Sequence, residues 1–498
     1  MQAAKTGLTE GSTPSGFDYD RPVVIINITR IKKIELLDDG RQALVLAGST
    51  LNELEQVLGS IGRTPHSVIG SSGIGASVVG GIANNSGGAL CKRGAAFTEL
   101  GLYARVNAGG ELELVDELGI EGLGDTPVEI LRRLETGSID PAMVTRLDAR
   151  ASDRSYEERL RELDADVPSR FNADPTRLSG VSGSAGKVAA FAVRVDTFPE
   201  PERKKVFFLG TNNTNDLTEL RRTILTEFEE LPDIAEYLNG ATFDCAEGYG
   251  KDVFLAIKHL GTKRLPQGYA FKARAEELLN RVPVLPKYLP DRFLYAVTRF
   301  APQHLPERMV EFRKRFEHFL ILVATDECIG ELDPYLSETW TEAADGDFFE
   351  CDSEEAEAAL LHRFAAAGAA PRYQTVHHKE TEEVLALDVA LLGNDPDWPG
   401  IVSGEIAEDL DTALMYGHFL CHVFHRDYIY KAGTDTAAKK AVLLRDLEEA
   451  GAKYPAEHNV GHMYKAEATL REFYEELDPT NTFNPGIGKT TKSRRPLC

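Results

Sequence analysis

The segment from His66 to Gly88, HSVIGSSGIGASVVGGIANNSGG, holds seven glycines and limits the fold more than any other stretch of the chain. A helix or central strand is weakened by each glycine, whereas a loop uses them to enter left-handed backbone and to bring chains close together. Runs of Gly and Ser also line up N–H donors in a concave nest that suits phosphate oxygens. A second run of this kind, QAAKTGLTEGS, occupies residues 2–12. Neither contains GxGxxG or a Walker A frame, so neither reads as a Rossmann turn or a P-loop. Gly488-Lys489-Thr490 is a GKT triplet, but Phe483 stands where a Walker loop has its first glycine. On residue type alone, both segments suit tight turns between strands as well as an anion cradle.

At 498 residues the chain exceeds one small core and implies two or three domains. A formal net charge of −24 argues against wholesale nucleic-acid binding. The six cysteines are scattered without a CxxC pair, which indicates free thiols rather than a zinc knuckle or disulfide framework. No apolar run approaches the roughly 20 residues of a membrane span, and the N-terminus lacks a signal layout. Any membrane contact is therefore expected to be peripheral, from the cytosolic side.

Short β-branched runs at Val23–Ile26 and Ala43–Ala47, with helical spacing from Leu51 to Ile61, give an α+β pattern before the glycine-rich loop. Residues 115–175 are rich in Asp, Glu and Arg and read as a solvated, mainly helical insertion. Strand pattern returns at 185–198 and 205–210, followed by an amphipathic helix from Leu217 to Leu231. From 258 to 315 thirteen Lys/Arg face five Asp/Glu, interleaved with aromatics, and six prolines forbid one long helix. A cationic, aromatic stretch of this kind suits an anionic membrane surface, where each basic residue contributes roughly 1 kcal/mol. It also suits a cap surface that balances acidic neighbours.

Nine of the twelve histidines lie beyond residue 315. His418, His422, His425, Glu457, His458 and His462 form a candidate site. The first three would share one helical face, but Tyr416–Tyr430 is aromatic and β-branched and reads better as a strand. In one continuous strand His418 and His422 share a face and His425 lies opposite.

The two glycine-rich runs at this separation resemble the FAD domain of the vanillyl-alcohol oxidase (PCMH-type) superfamily. DPTNTFNPGIGK at 478–489 is similar to the D-P-x-x-x-x-N-P-G-K signature of its D-lactate and glycolate branch, and YPAEHNVGH at 454–462 to that branch's A-E-H-G segment. With LHRFAAAGAA at 361–370 and YGHF at 416–419, the chain most resembles the quinone-dependent, respiratory D-lactate dehydrogenases. The resemblance implies an FAD-binding domain at 1–195, with its acidic insertion at about 115–175, completed by 447–498. It implies an α/β cap over 196–446, with a basic membrane-docking element at 238–315. It also sets this chain apart at two points. Lys5 stands where Asn or Gly is usual, and the family carries a β–α–β element before its first loop, so an N-terminally truncated flavin domain is expected.

Flavin contacts are implied for Ala3, Ala4, Lys5, Thr6, Gly7, Gly11, Ser12, Gly70, Ser77, Gly87 and the backbone near Ala190. His458 is the implied general base, since an imidazole titrating near neutrality can take the hydroxyl proton of a 2-hydroxy acid. His418, His425 and Glu457 reproduce the spacing of a divalent-metal site in relatives acting on D-2-hydroxy acids, although those relatives' intervening Gly-Asp-Gly turn is absent. Arg363 and Arg372 are candidates for the substrate carboxylate. The implied activity is oxidation of D-lactate to pyruvate by FAD, with electrons passed to membrane quinone at the cytoplasmic face. Two other readings stay open. One is a dehydrogenase of another D-2-hydroxy acid with a soluble acceptor, and the other a catalytically silent truncated homologue.

Overall fold

The computed structural model describes residues 1–67, 72–145, 148–261, 268, 288–340, 345–400, 402 and 404–496. Two antiparallel sheets organise these residues. The first contains β1 (Ile34–Leu37), β2 (Gln42–Leu46), β3 (Arg63–Pro65), β4 (Gly101–Val106), β5 (Leu112–Asp116) and β6 (Ala189–Pro199), in the order β1-β2-β6-β4-β5 with β3 on the far end of β6. The long β6 is its spine, pairing with β2, β3 and β4. The predicted helix after β2 forms as Leu51–Gly59 behind a Thr50/Glu53 capping box, burying Leu51, Leu54 and Leu58. It stops short of the exposed Ile61.

The second sheet holds β7 (Lys204–Thr211), β8 (Ile234–Asn239), β9 (His318–Thr325), β10 (Gly346–Glu350), β11 (Leu385–Ala390), β12 (Leu410–His418) and β13 (Val423–Tyr430), in the order β10-β7-β9-β8-β12-β13-β11. Both faces are covered, which is why β9 is apolar from Phe319 to Ala324. Leu320, Leu322 and Ala324 join one core with the helices Thr214–Glu227 and Cys328–Thr339. Phe319, Ile321 and Val323 join the other with Gly240–Tyr249 and Ser353–Val376. The Ala-rich face of Ser353–Val376 lets that helix pack closely on Gly240–Tyr249, burying Ala358, Ala359, Ala365, Ala366, Ala369 and Ala370.

Three sequence expectations are corrected here. Val23–Ile26 is exposed and forms no strand; among the described residues the chain here makes a single bridge, Asn27 with Gln2, and strand propensity needs a partner strand to act on. Among its described residues the 115–175 insertion is α-helical at Pro127–Thr136 and Tyr156–Arg161 alone, beside two single 3-10 turns. Nor is it merely solvated, since its Asp153 is buried against Arg177 and its Arg170 is buried between Gly88 and Glu457. Within the 238–315 docking element, Gly240–Tyr249 belongs to the cap core, with Thr242, Phe243, Cys245 and Ala246 buried. Residues 262–267 and 269–287 of that element lie outside the described residues.

Candidate active site

The site is built on one face of the second sheet. Opposed residues of an antiparallel ladder share a face, and β12 and β13 pair as a hairpin with Tyr416 opposite His425 and His418 opposite Val423. His418 and His425 are therefore diagonal neighbours, with ring centroids 6.1 Å apart. A single continuous strand would have placed them on opposite faces. The turn at 419–422 resets the alternation, with His422 taking the left-handed conformation at its corner (φ 51°). Across the sheet, β8 sets Glu236 opposite His418 and β11 sets Asp388 opposite His425.

A loop completes the constellation. Lys453 exchanges both backbone hydrogen bonds with Ala390, and Ala456 N–H donates to the Asp388 carbonyl, so residues 453–457 run along the open edge of β11. Glu457 N–H donates to Asp388 Oδ2 at 2.7 Å. The Glu457 carboxylate then lies between the histidines, with Oε2 3.1 Å from His418 Nε2 and 3.7 Å from His425 Nε2. Its other oxygen, Oε1, accepts from Arg170. His458 follows, with Nε2 3.8 Å from Asp388 Oδ2 and no hydrogen-bond partner among the described residues.

Charge alternates along this row. Arg363 Nε donates to Glu236 Oε2 at 2.6 Å, Glu236 Oε1 lies 2.6 Å from His418 Nδ1, and the chain continues through Glu457 to Arg170. Burial opposes protonation of His418, but the charges of Glu236 and Glu457 outweigh it and push its pKa up to about 10. Against the same burial, Arg363 and His418 hold Glu236 down to about 2. Glu457 is likewise held well below the carboxylate range, where His418 and Arg170 overcome desolvation. In His425 burial wins over Asp388 and Glu457, and its pKa falls to about 4.

His418, His425 and Glu457 together have the donor geometry of a metal site. One ligand atom from each lies within 4.8 Å of the others. Two donors each about 2.1 Å from a tetrahedral ion sit about 3.4 Å apart, close to the 3.1 and 3.7 Å from Glu457 Oε2 to the two Nε2 atoms. Each imidazole also has a carboxylate behind its second nitrogen, Glu236 for His418 and Asp388, at 3.5 Å, for His425. That backing orients a ligating histidine.

The remaining candidates divide. Arg363 sits at the edge of the cluster, its guanidinium 4.7 Å from the Tyr416 ring centroid. Arg372 is not brought there. Nine residues farther along the same helix, it is displaced by about 13.5 Å and half a turn, and it pairs with Asp252 and Asp291. His422 is also set apart, stacked on Trp398 with Nδ1 3.1 Å from the Leu392 carbonyl. His462 lies against the first glycine-rich loop, its N–H donating to the Thr9 carbonyl. Sequence reasoning missed Glu236, Asp388 and Arg170, isolated charged residues whose only signal is the strand register and tertiary path that bring them here.

A family model described as D-lactate dehydrogenase, membrane binding, matches residues 206–495, and one described as FAD binding domain matches residues 4–113. The quinone-dependent D-lactate dehydrogenase of Escherichia coli (strain K12) is 51% identical over 494 residues, 99% of this chain and 86% of the relative. That of Haemophilus influenzae (strain ATCC 51907 / DSM 11121 / KW20 / Rd) is 50% identical over 493 residues, covering 99% and 87%. The chain belongs to the quinone-dependent D-lactate dehydrogenase family. Its fold is that of p-cresol methylhydroxylase, solved with substrate bound, with a TM-score of 0.51 at 12% identity over 94% of this chain and 80% of that one. The α+β arrangement of flavin domain and cap expected from the sequence is thus the one found.

As a member of this D-lactate dehydrogenase family the chain needs an FAD cradle, and its residues fit one. The two glycine-rich runs converge, since a Cβ on Gly75 would come 4.0 Å from that of Ala4. Lys5 takes a left-handed conformation (φ 60°) within the loop of Ala3, Ala4, Thr6 and Gly7. Asn484 Nδ2 donates to the carbonyls of Gly11 and Ala185, and Gln2 Nε2 donates to that of Ser12, which ties the first loop to the C-terminal segment. Ser77 caps the helix Val78–Ala83, Ala190 lies in β6 opposite Tyr103, and Gly87 abuts Glu457. Among the described residues the Ser184 hydroxyl and His462 Nε2 are buried here without protein partners, as groups that meet a polar cofactor would be. Gly70 lies outside the described residues.

Proposed function

We propose that this chain oxidises D-lactate to pyruvate with bound FAD and delivers the electrons to a membrane quinone. The observation that carries the reading is the His418–His425–Glu457 cluster beside the unpartnered Nε2 of His458. Bound FAD supplies a hydride acceptor. His458 Nε2 takes the hydroxyl proton as the C2 hydrogen leaves as hydride, so a hydride (two electrons with one proton) and a second proton depart and a ketone remains. Asp388 Oδ2 lies 3.8 Å from that same Nε2 and places a negative charge beside the proton transfer. Arg363, already oriented by Glu236 and Tyr416, is placed to meet the substrate carboxylate. A divalent ion held by His418, His425 and Glu457 would add a Lewis acid for the substrate oxygens.

Docking on an anionic, cytoplasmic leaflet accounts for a surface that has no other evident role. In the helix Leu289–Thr298 and the residues after it, Phe293, Val297 and Phe300 fall at i, i+4 and i+7 and are 64%, 52% and 88% exposed. Arg292 and Arg299 flank them. Among the described residues no helix is long and apolar enough to cross a membrane. The decisive experiment is an absorbance spectrum after incubation with FAD, followed by D-lactate. Flavin bands that bleach, and recover with a quinone analogue, are expected; a colourless protein, or bands unmoved by D-lactate, would overturn the proposal.

A further inference from the structure

Arg170 belongs to no helix or strand, yet only 3% of its side chain is exposed, at the centre of the site. Nη1 donates to the Gly88 carbonyl at 2.8 Å, and Nη2 donates to Glu457 Oε1. Those two bonds join the glycine-rich turn of the first domain to the acid between His418 and His425. We propose that Arg170 is a positioning residue for the D-lactate reaction, and that it fixes which oxygen of Glu457 faces the histidines.

Glu457 Oε1 is held from two sides, by the guanidinium and by the bare backbone of Gly87. Only Oε2 is left toward His418 and His425. A carboxylate free to rotate would present both oxygens to the imidazoles and occupy the room a substrate oxygen needs. A planar guanidinium can span a carbonyl and a carboxylate with separate N–H groups, whereas a lysine ammonium acts as a point charge. Arg170 also cancels one negative charge in a site where Glu236, Asp388 and Glu457 all face two histidines. Because Glu457 directly precedes His458, its seat also sets where the base begins.

This inference rests on the proposed reaction, and its test keeps the two apart. In the FAD-loaded full-length protein, Arg170→Lys retains the buried charge but loses the two-pronged hold. It is expected to keep wild-type flavin content and melting temperature while kcat for D-lactate falls about 100-fold, the scale of a misplacement near 1 Å. Arg170→Ala should recover part of that loss on addition of guanidinium, and Co2+ should bind either variant more weakly than wild type. If R170K turns over D-lactate within twofold of wild type, the proposal is overturned. If wild-type protein does not oxidise D-lactate, the reaction assignment fails instead, and Arg170 is judged by Co2+ affinity. Equal affinity in wild type and R170K, including no binding by either, then overturns it. Should R170A fail to fold, R170K carries the comparison.

Discussion

A side-chain carbon on Gly87 would lie 2.2 Å from Oε1 of Glu457, so the two residues can touch only because one of them has no side chain. Gly87 is not in left-handed backbone, so the requirement is one of space. Gly87→Ala should therefore push the Glu457 carboxylate off its seat without straining the loop itself. Turnover of D-lactate is expected to fall at least about tenfold while the flavin spectrum persists, because a displacement of about 1 Å near reacting groups costs up to about 100-fold. Unchanged steady-state kinetics would mean that the carboxylate yields freely.

His458→Gln removes the proposed proton acceptor but keeps a polar side chain of similar reach. Loss of a general base costs about 10²- to 10⁴-fold in kcat. The variant should bind FAD normally while kcat for D-lactate falls by that factor. Turnover within tenfold of wild type would assign the base elsewhere.

A divalent ion at His418, His425 and Glu457 would be displaced by a chelator. Dialysis against EDTA should lower activity, and Zn2+ or Co2+ should restore it; His425→Ala should abolish the restoration without emptying the flavin site. Elemental analysis of the purified wild-type protein reads the same point directly, and a metal-free, fully active enzyme would reduce the cluster to an ion-pair network.

Much of this site could be read from the residues, and what could not has identifiable causes. The glycine-rich runs announce close backbone approach, as at Gly75 beside Ala4 and Gly87 beside Glu457, although among their described glycines Gly75 alone is left-handed. His418, His425, Glu457 and His458 were nameable, but their arrangement was not, since the run Phe419-Leu420-Cys421-His422 contains no turn former. A histidine with φ 51° makes the corner instead, and the alternation of faces is reset there. Arg372 looked equivalent to Arg363 by type, and only helix geometry separates them. Glu236, Asp388 and Arg170 are single charges in unrelated segments, legible only once strand register and chain path are known. Val23–Ile26 shows the reverse case, with strand composition in a place that offers no ladder.

The exposed Phe293, Val297 and Phe300 give the docking proposal a direct test. Phe293→Ser with Phe300→Ser should weaken binding to anionic vesicles while leaving D-lactate oxidation with a soluble quinone analogue unchanged. Raising the salt concentration should weaken wild-type binding too, since screening shortens the reach of Arg292 and Arg299. Co-sedimentation with vesicles measures both effects, and undiminished binding by the double variant would locate the contact elsewhere.

Two histidines in the cap core predict how stability responds to acid. His362, 1% exposed, packs 4.4 Å from the Phe243 ring, and His304 packs 4.6 Å from Phe254. Burial pushes their pKa values down to about 3 and about 4. An unfolded imidazole titrates near 6.5, so below that pH the unfolded chain takes up protons that the folded one refuses. The stability these neutral rings allow is complete above pH 6.5 and is lost as pH falls toward their folded values. For fully buried His362 the slope is about 1.4 kcal/mol per pH unit. His362→Leu should therefore flatten the decline between pH 6.5 and pH 4 relative to wild type, while carboxylate contributions stay common to both proteins. Urea midpoints followed by circular dichroism at several pH values measure the difference. Parallel curves would show that His362 keeps its proton equilibrium on folding.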